Sequence, residues 1–143
     1  MFIGEYQHAT DDKGRIAVPA KFRGSLGERA IVTRGLDRCL FLFATADWEK
    51  LAEKLIALPL AQADARAFSR LMLAGAMEVE LDSQGRILLP DYLRTYAEIG
   101  KQAVVAGLYN RIEIWNDAAW KKYKEGAEAE SDGIAEKLSA LGI

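Results

Sequence analysis

The side chains in this sequence best suited to chemistry are two arginines. Arg15 and Arg86 each follow a glycine in a short acidic turn, "DDKGR" at residues 11–15 and "DSQGR" at residues 82–86. A guanidinium held on a rigid turn offers a planar fork of donors that matches a phosphate or the edge of a guanine. The turns themselves are specified locally. Gly14 and Gly85 stand where a short hairpin needs a left-handed residue, a conformation glycine adopts at little cost. Asp11 and Asp82 open the turns, where a carboxylate accepts backbone N–H groups across the loop. The expected division of labour has Asp11, Gly14, Asp82 and Gly85 shaping the turns while Arg15 and Arg86 project from them. The plain alternative is a solvated arginine or a local Asp–Arg pair, which stabilises little.

The two turns belong to a longer repeat. "ATDDKGRIAVPAKFR" (9–23) is written again as "ELDSQGRILLPDYLR" (80–94), with Asp11, Gly14, Arg15, Ile16, Pro19 and Arg23 recurring as Asp82, Gly85, Arg86, Ile87, Pro90 and Arg94 at an offset of 71. The match runs on: "LGERAIVTRGL" (26–36) parallels "IGKQAVVAGL" (99–108), and "LFLFATADW" (40–48) parallels "IEIWNDAAW" (112–120). A period that occurs twice is a duplication rather than a solenoid, and two similar halves pack about a pseudo-two-fold axis as two subunits would.

The elements that must position the turns follow from composition and period. β-Branched and aromatic runs between glycine-bearing turns predict strands. "RIEIW" alternates, with Ile112 and Ile114 on one face and Arg111, Glu113 and Trp115 on the other. "CLFLF" (39–43) does not alternate, so both its faces must be covered, by this chain or by another. Helices are expected after each last strand, with Thr45 and Asn116 as N-caps and Trp48 and Trp120 as matched core anchors. "ADARAFSRLMLAGA" sets Phe68, Leu71 and Met72 on one helical face, and the tail places Ile134, Leu138 and Leu141 in a short stripe. The expected organisation is a first repeat with its helix over 1–60, a connecting helix over 61–76, a second repeat with its helix over 77–127 and an amphipathic tail over 128–143.

Composition bounds the remaining function classes. The net charge is −2, from 19 basic and 21 acidic residues, so any nucleic-acid binding must come from a local patch. Cys39, the only cysteine, lies in an apolar run and reads as a buried thiol in a reducing compartment. His8, the only histidine, lacks partners for a metal or a nucleophile, and neither a hydrolase nor a metalloenzyme finds support. Glu78, Glu80 and Asp82 alternate along one strand and could face a hard cation, but only the turn aspartate is duplicated. No cofactor or metal is expected. No leader or segment of bilayer-spanning length is apparent, and the expected location is the cytoplasm.

The paired D-x-x-x-R turns at Asp11–Arg15 and Asp82–Arg86, the prolines that follow, and the opening "MFIGEYQHATDDKGRIAVPAKFR" resemble the MraZ family of bacterial regulators over nearly the whole chain. The resemblance implies an α+β, β-rich fold in which two AbrB-like (SpoVT-AbrB) swapped-hairpin repeats form a pseudo-two-fold β-barrel with flanking helices. It implies a sequence-specific DNA-binding transcriptional regulator, not an enzyme. Its expected partner is double-stranded DNA at promoter repeats of the division and cell-wall gene cluster, its own promoter included. A nucleoid association and a ring-like homo-oligomer larger than a dimer are implied as well. The family's DNA-contacting motif falls on Asp11, Lys13 and Arg15 and on Asp82 and Arg86. The second turn departs from the first, carrying Ser83 and Gln84 in place of Asp12 and Lys13. The competing reading is an antitoxin-like or other protein-binding module of the same fold. Such a module calls for a long, partner-directed tail, whereas this tail is short with helical spacing.

Overall fold

In the computed structural model, which describes residues 1–143, eight strands and six helices succeed one another in an order that repeats. The first half comprises β1 (Phe2–Ala9), β2 (Arg15–Ala17), α1 (Ala20–Leu26), β3 (Arg29–Arg34), β4 (Leu40–Ala44) and α2 (Thr45–Ile56). α3 (Ala63–Ser69) runs into a π-helical turn, Arg70–Ala74, and connects to the second half. There the order returns as β5 (Met77–Glu80), β6 (Arg86–Leu88), α4 (Asp91–Tyr96), β7 (Gln102–Tyr109), β8 (Ile112–Asn116) and α5 (Asp117–Ala129). α6 (Ser131–Lys137) and a 3-10 turn, Ser139–Leu141, close the chain.

The halves are interleaved. The six-stranded sheet has the order β1-β7-β8-β4-β3-β5, all antiparallel, and reads the same when the halves are exchanged. β1 pairs along its length with β7, from Phe2 opposite Tyr109 to Ala9 opposite Gln102, and β5 pairs along its length with β3, from Met77 opposite Val32 to Glu80 opposite Arg29. Each half thus lends its first strand to the other. β2 and β6 pair with one another as a separate two-stranded ribbon.

The expected β-barrel does not form. The large sheet stays open with β1 and β5 at its edges, and the ribbon joins β1 through a single bridge, Thr10 to Ile16. The reason is length: β2 and β6 span only three residues each and spend their pairing on one another, so they do not zip the two edges together.

A central core of 18 buried residues fills the space between sheet and ribbon, including Ile16, Phe22, Leu40, Leu42, Ile87 and Leu93. Phe22 meets Phe2 and Tyr6 edge to face, with centroids 5.4 and 5.6 Å away. A second cluster lies on the other side of the sheet, where Cys39, Phe41, Phe43 and Trp115 pack with Leu55 of α2 and Met72 of the connector, with Trp48 and Trp120 against them. The doubly apolar β4 is therefore covered on both faces by its own chain. Burial and the nearby carboxylates of Glu113 and Asp37 push the Cys39 thiol well above its ordinary range, which keeps it protonated.

Two local expectations are corrected. Thr45 is the first helical residue rather than the cap, because β4 runs straight into α2 through Ala44, which offers no side-chain acceptor. Asn116 does cap α5, its Oδ1 accepting the Ala119 N–H at 2.9 Å. Leu71 is half exposed while Met72 is buried and Phe68 packs inward, since the π-helical turn rotates the stripe away from the regular period. Both faces of β8 are interior: the Glu113 carboxylate is buried and accepts from Arg111 Nε at 3.0 Å and Trp115 Nε1 at 2.9 Å. Arg111 in turn lies 4.8 Å above the Phe41 ring, so the buried charge is paired and hydrogen-bonded.

Candidate nucleic-acid interface

The turns are built from their own backbones. In the first, the Asp11 N–H donates to the Arg15 carbonyl at 3.0 Å and the Gly14 N–H to the Asp11 carbonyl at 3.0 Å. In the second, the Asp82 N–H reaches the Arg86 carbonyl and the Gly85 N–H the Asp82 carbonyl, both at 2.9 Å. Gly14 and Gly85 have φ of 84° and 74°, the left-handed region that the hairpin demands.

Each aspartate serves its turn with both oxygens. Asp11 Oδ1 accepts the N–H of Lys13 at 3.0 Å and of Arg15 at 2.8 Å, while Oδ2 accepts Arg15 Nε at 2.6 Å. Asp82 repeats this with Gln84 N–H, Arg86 N–H and Arg86 Nε, all at 2.9 Å. The backbone N–H of Arg15 or Arg86 is the largest cause that holds each carboxyl below the usual carboxylate range, so both are ionised at neutral pH.

The ribbon places the arginines together. Arg15 lies opposite Leu88, Ile16 opposite Ile87 and Ala17 opposite Arg86. Because paired residues share a face and neighbours alternate, Ile16 and Ile87 point into the core, at 1% and 0% exposure, and Arg15, Ala17, Arg86 and Leu88 line the outward face. The ion pairs engage each arginine through Nε, and Arg86 Nη1 also stands 3.8 Å from Asp11 Oδ2 across the ribbon. The Nη nitrogens of Arg15 have no protein partner. Such an arrangement presents two oriented forks side by side on a two-stranded ribbon, a shape that a DNA major groove admits.

Comparison with known proteins fits this duplicated geometry. A family model described as "MraZ protein, putative antitoxin-like" matches residues 1–71 and again 72–140. The chain belongs to the MraZ family. Among its MraZ relatives, the Transcriptional regulator MraZ of Desulfitobacterium hafniense is 54% identical over all of both chains. That of Carboxydothermus hydrogenoformans is 52% identical over 96% of each, and that of Natranaerobius thermophilus 51% over all of both. These relatives are named as transcriptional regulators, and membership places this chain in a family of transcriptional regulators. No helix of this MraZ chain is long and apolar enough to cross a membrane.

Of the residues singled out from sequence, Asp11, Gly14, Arg15, Asp82, Gly85 and Arg86 converge on the ribbon. Lys13 stands exposed at the first turn, with Gln84 at the matching place. Glu78 and Glu80 instead flank Arg29, at 3.5 and 3.3 Å, on the exposed edge strand. Sequence reasoning missed Leu88 and Ala17, which share the outward face, and Arg23 and Arg94, which pack against the turns. The recurrence of Arg23 as Arg94 was the available signal.

Proposed function

We propose that this chain is a sequence-specific DNA-binding regulator that reads double-stranded DNA with the outward face of the β2–β6 ribbon. Arg15 and Arg86 supply the specific contacts, Lys13 an added phosphate contact, and Asp11, Gly14, Asp82 and Gly85 the turn geometry. The observation that carries this reading is the placement of two aspartate-oriented guanidinium groups on one outward ribbon face, diagonally across the two strands. Each fork fits a guanine edge or a phosphate. The exchanged strands are read as the swapped-hairpin, AbrB-like relation between the repeats.

The targets proposed are short direct repeats at promoters of the division and cell-wall gene cluster, with the protein associated with the nucleoid as a homo-oligomer larger than a dimer. A net charge of −2 and few cations on the ribbon favour assembly, because repeating the face adds phosphate contacts and raises effective concentration. β4 gives no support to assembly, since its own chain covers both its faces. The exposed stripe of Ile134, Leu138 and Leu141 remains as unpartnered apolar surface.

A second reading, a protein-binding module, draws on the antitoxin-like wording of the family description and on that same exposed stripe. A mobility shift separates the two. The purified protein should retard the DNA immediately upstream of its own coding region at low salt, and reducing the repeats to one should weaken binding sharply. Failure to shift that DNA would leave the protein-binding reading in its place.

A further inference from the structure

We propose that Arg23 and Arg94 are positioning residues, each bracing the turn of the opposite repeat so that the two DNA-facing arginines are oriented as a coupled pair. The inference rests on the DNA reading of the turns. Its geometry is independent of that reading.

Arg94 lies in α4 of the second half and packs against Gly14 of the first. A Cβ added at Gly14 would stand 2.5 Å from Arg94 Cζ and Nε, so the guanidinium occupies the space directly above the glycine. The same side chain is fixed at its root, where Nε donates to the Leu89 carbonyl at 3.0 Å. Leu89 N–H then donates to the Gly14 carbonyl at 3.0 Å. The contacts therefore close a loop from Gly14 to Leu89 to Arg94 and back to Gly14.

The other repeat closes the mirror loop. Val18 N–H donates to the Gly85 carbonyl at 2.9 Å, Arg23 Nε donates to the Val18 carbonyl at 2.9 Å, and a Cβ at Gly85 would stand 2.2 Å from Arg23 Cζ and Nε. The spacing Gly-Arg-Ile followed by Pro and Arg thus has one physical explanation. The glycine gives the left-handed turn and leaves room for the partner guanidinium, the proline starts the short helix, and the last arginine returns across the pseudo-axis. A flat guanidinium is needed because it both donates through Nε and lies against a bare α-carbon; a lysine keeps the charge but has neither the plane nor the Nε donor.

Amide exchange on the full-length protein tests this, read at Gly14 and Arg15 against Gly85 and Arg86. Arg94→Lys should speed exchange in the first turn by about tenfold or more, the scale of one lost charge-assisted hydrogen bond, and leave the second turn near the parent. Arg23→Lys should do the reverse. Both should weaken binding to the upstream DNA by about tenfold while the protein stays folded, its melting temperature lowered by no more than about 10 °C. Faster exchange in the same repeat's turn, in both turns equally, or in neither would overturn the crossed brace. A crossed exchange pattern with parental DNA affinity, where Arg15→Ala does lose affinity, would show that the brace does not position the contacts and would overturn the proposal. If Arg15→Ala also binds as the parent, the DNA reading of the turns has failed and takes this role with it.

Discussion

The turn at Asp11–Arg15 and the turn at Asp82–Arg86 use the same hydrogen bonds, atom for atom, yet they stand in different company. Lys13 projects from the first where Gln84 projects from the second. Arg94, above the first turn, is paired with Asp91, whereas Arg23, above the second, has Ala20 at the matching place. Opposite Arg15 lies the exposed Leu88; opposite Arg86 lies the small Ala17. The two copies agree on everything the backbone geometry requires and differ in what surrounds it. A duplicated site of this kind keeps a common frame while the side chains around each half differ.

The strongest way to break the comparison is to remove the frame beneath both turns. Ile16→Ala and Ile87→Ala each truncate a side chain buried at the centre of the ribbon and should cost roughly 2–5 kcal/mol in denaturant unfolding. A parental unfolding midpoint for either would show that the ribbon does not anchor the turns in the core. Gly14→Ala and Gly85→Ala come next, at roughly 1–3 kcal/mol each for a side chain at positive φ, with the displacement of the Arg94 or Arg23 guanidinium added to it. The gap between them reads the Asp91 tether on Arg94, an exposed pair that should contribute less than ~1 kcal/mol.

Asp11→Ala and Asp82→Ala should lower the melting temperature less than the glycine variants do, with Asp11→Ala the greater of the two because its carboxylate also faces Arg86 at 3.8 Å. Acid should mimic them. Both carboxyls lie below their usual range when folded, so their contribution is full above the unfolded value near 3.8 and is lost only as pH falls through the lower folded value. Exchange of the Arg15 and Arg86 amides, corrected for intrinsic rates, should therefore stay flat across neutral pH and rise in strong acid; a rise near neutrality would contradict the assignment. The smallest effect sharpens the comparison further. Lys13→Gln makes the first turn resemble the second and should lower the salt slope of DNA binding by about 1 per site while stability changes by less than ~0.5 kcal/mol.

Much of this architecture was legible because its determinants are local. The Asp, Gly and Arg of each turn are fixed by hydrogen bonds within five residues, and the Asn116 cap acts within three, so the sequence displays them directly. Thr45 was misleading because a strand that passes into a helix without a break leaves no capping position. The long-range features were beyond a one-dimensional reading. Alternation in "RIEIW" marks two faces, but only the helical layer across the sheet, with α5 packed on Trp115 and α2 and the connector beside it, makes the Glu113 face an interior one. The open sheet likewise depends on how β2 and β6 spend their few backbone groups. Arg23 and Arg94 fall between these cases: their recurrence was visible, but their contact with the opposite turn arises only when the halves interleave.

The central claim is that the outward ribbon face contacts DNA through both arginines. Its most direct test is the affinity of the Arg15→Ala/Arg86→Ala double variant for the upstream DNA at two salt concentrations, with melting temperature and assembly size followed in parallel. Each lost bidentate contact should cost roughly 1–3 kcal/mol of specific binding per site, multiplied across an assembly, while stability stays near that of the parent. A folded, assembled double variant that binds this DNA with parental affinity and salt dependence would contradict the claim and leave the duplicated turn a purely structural device.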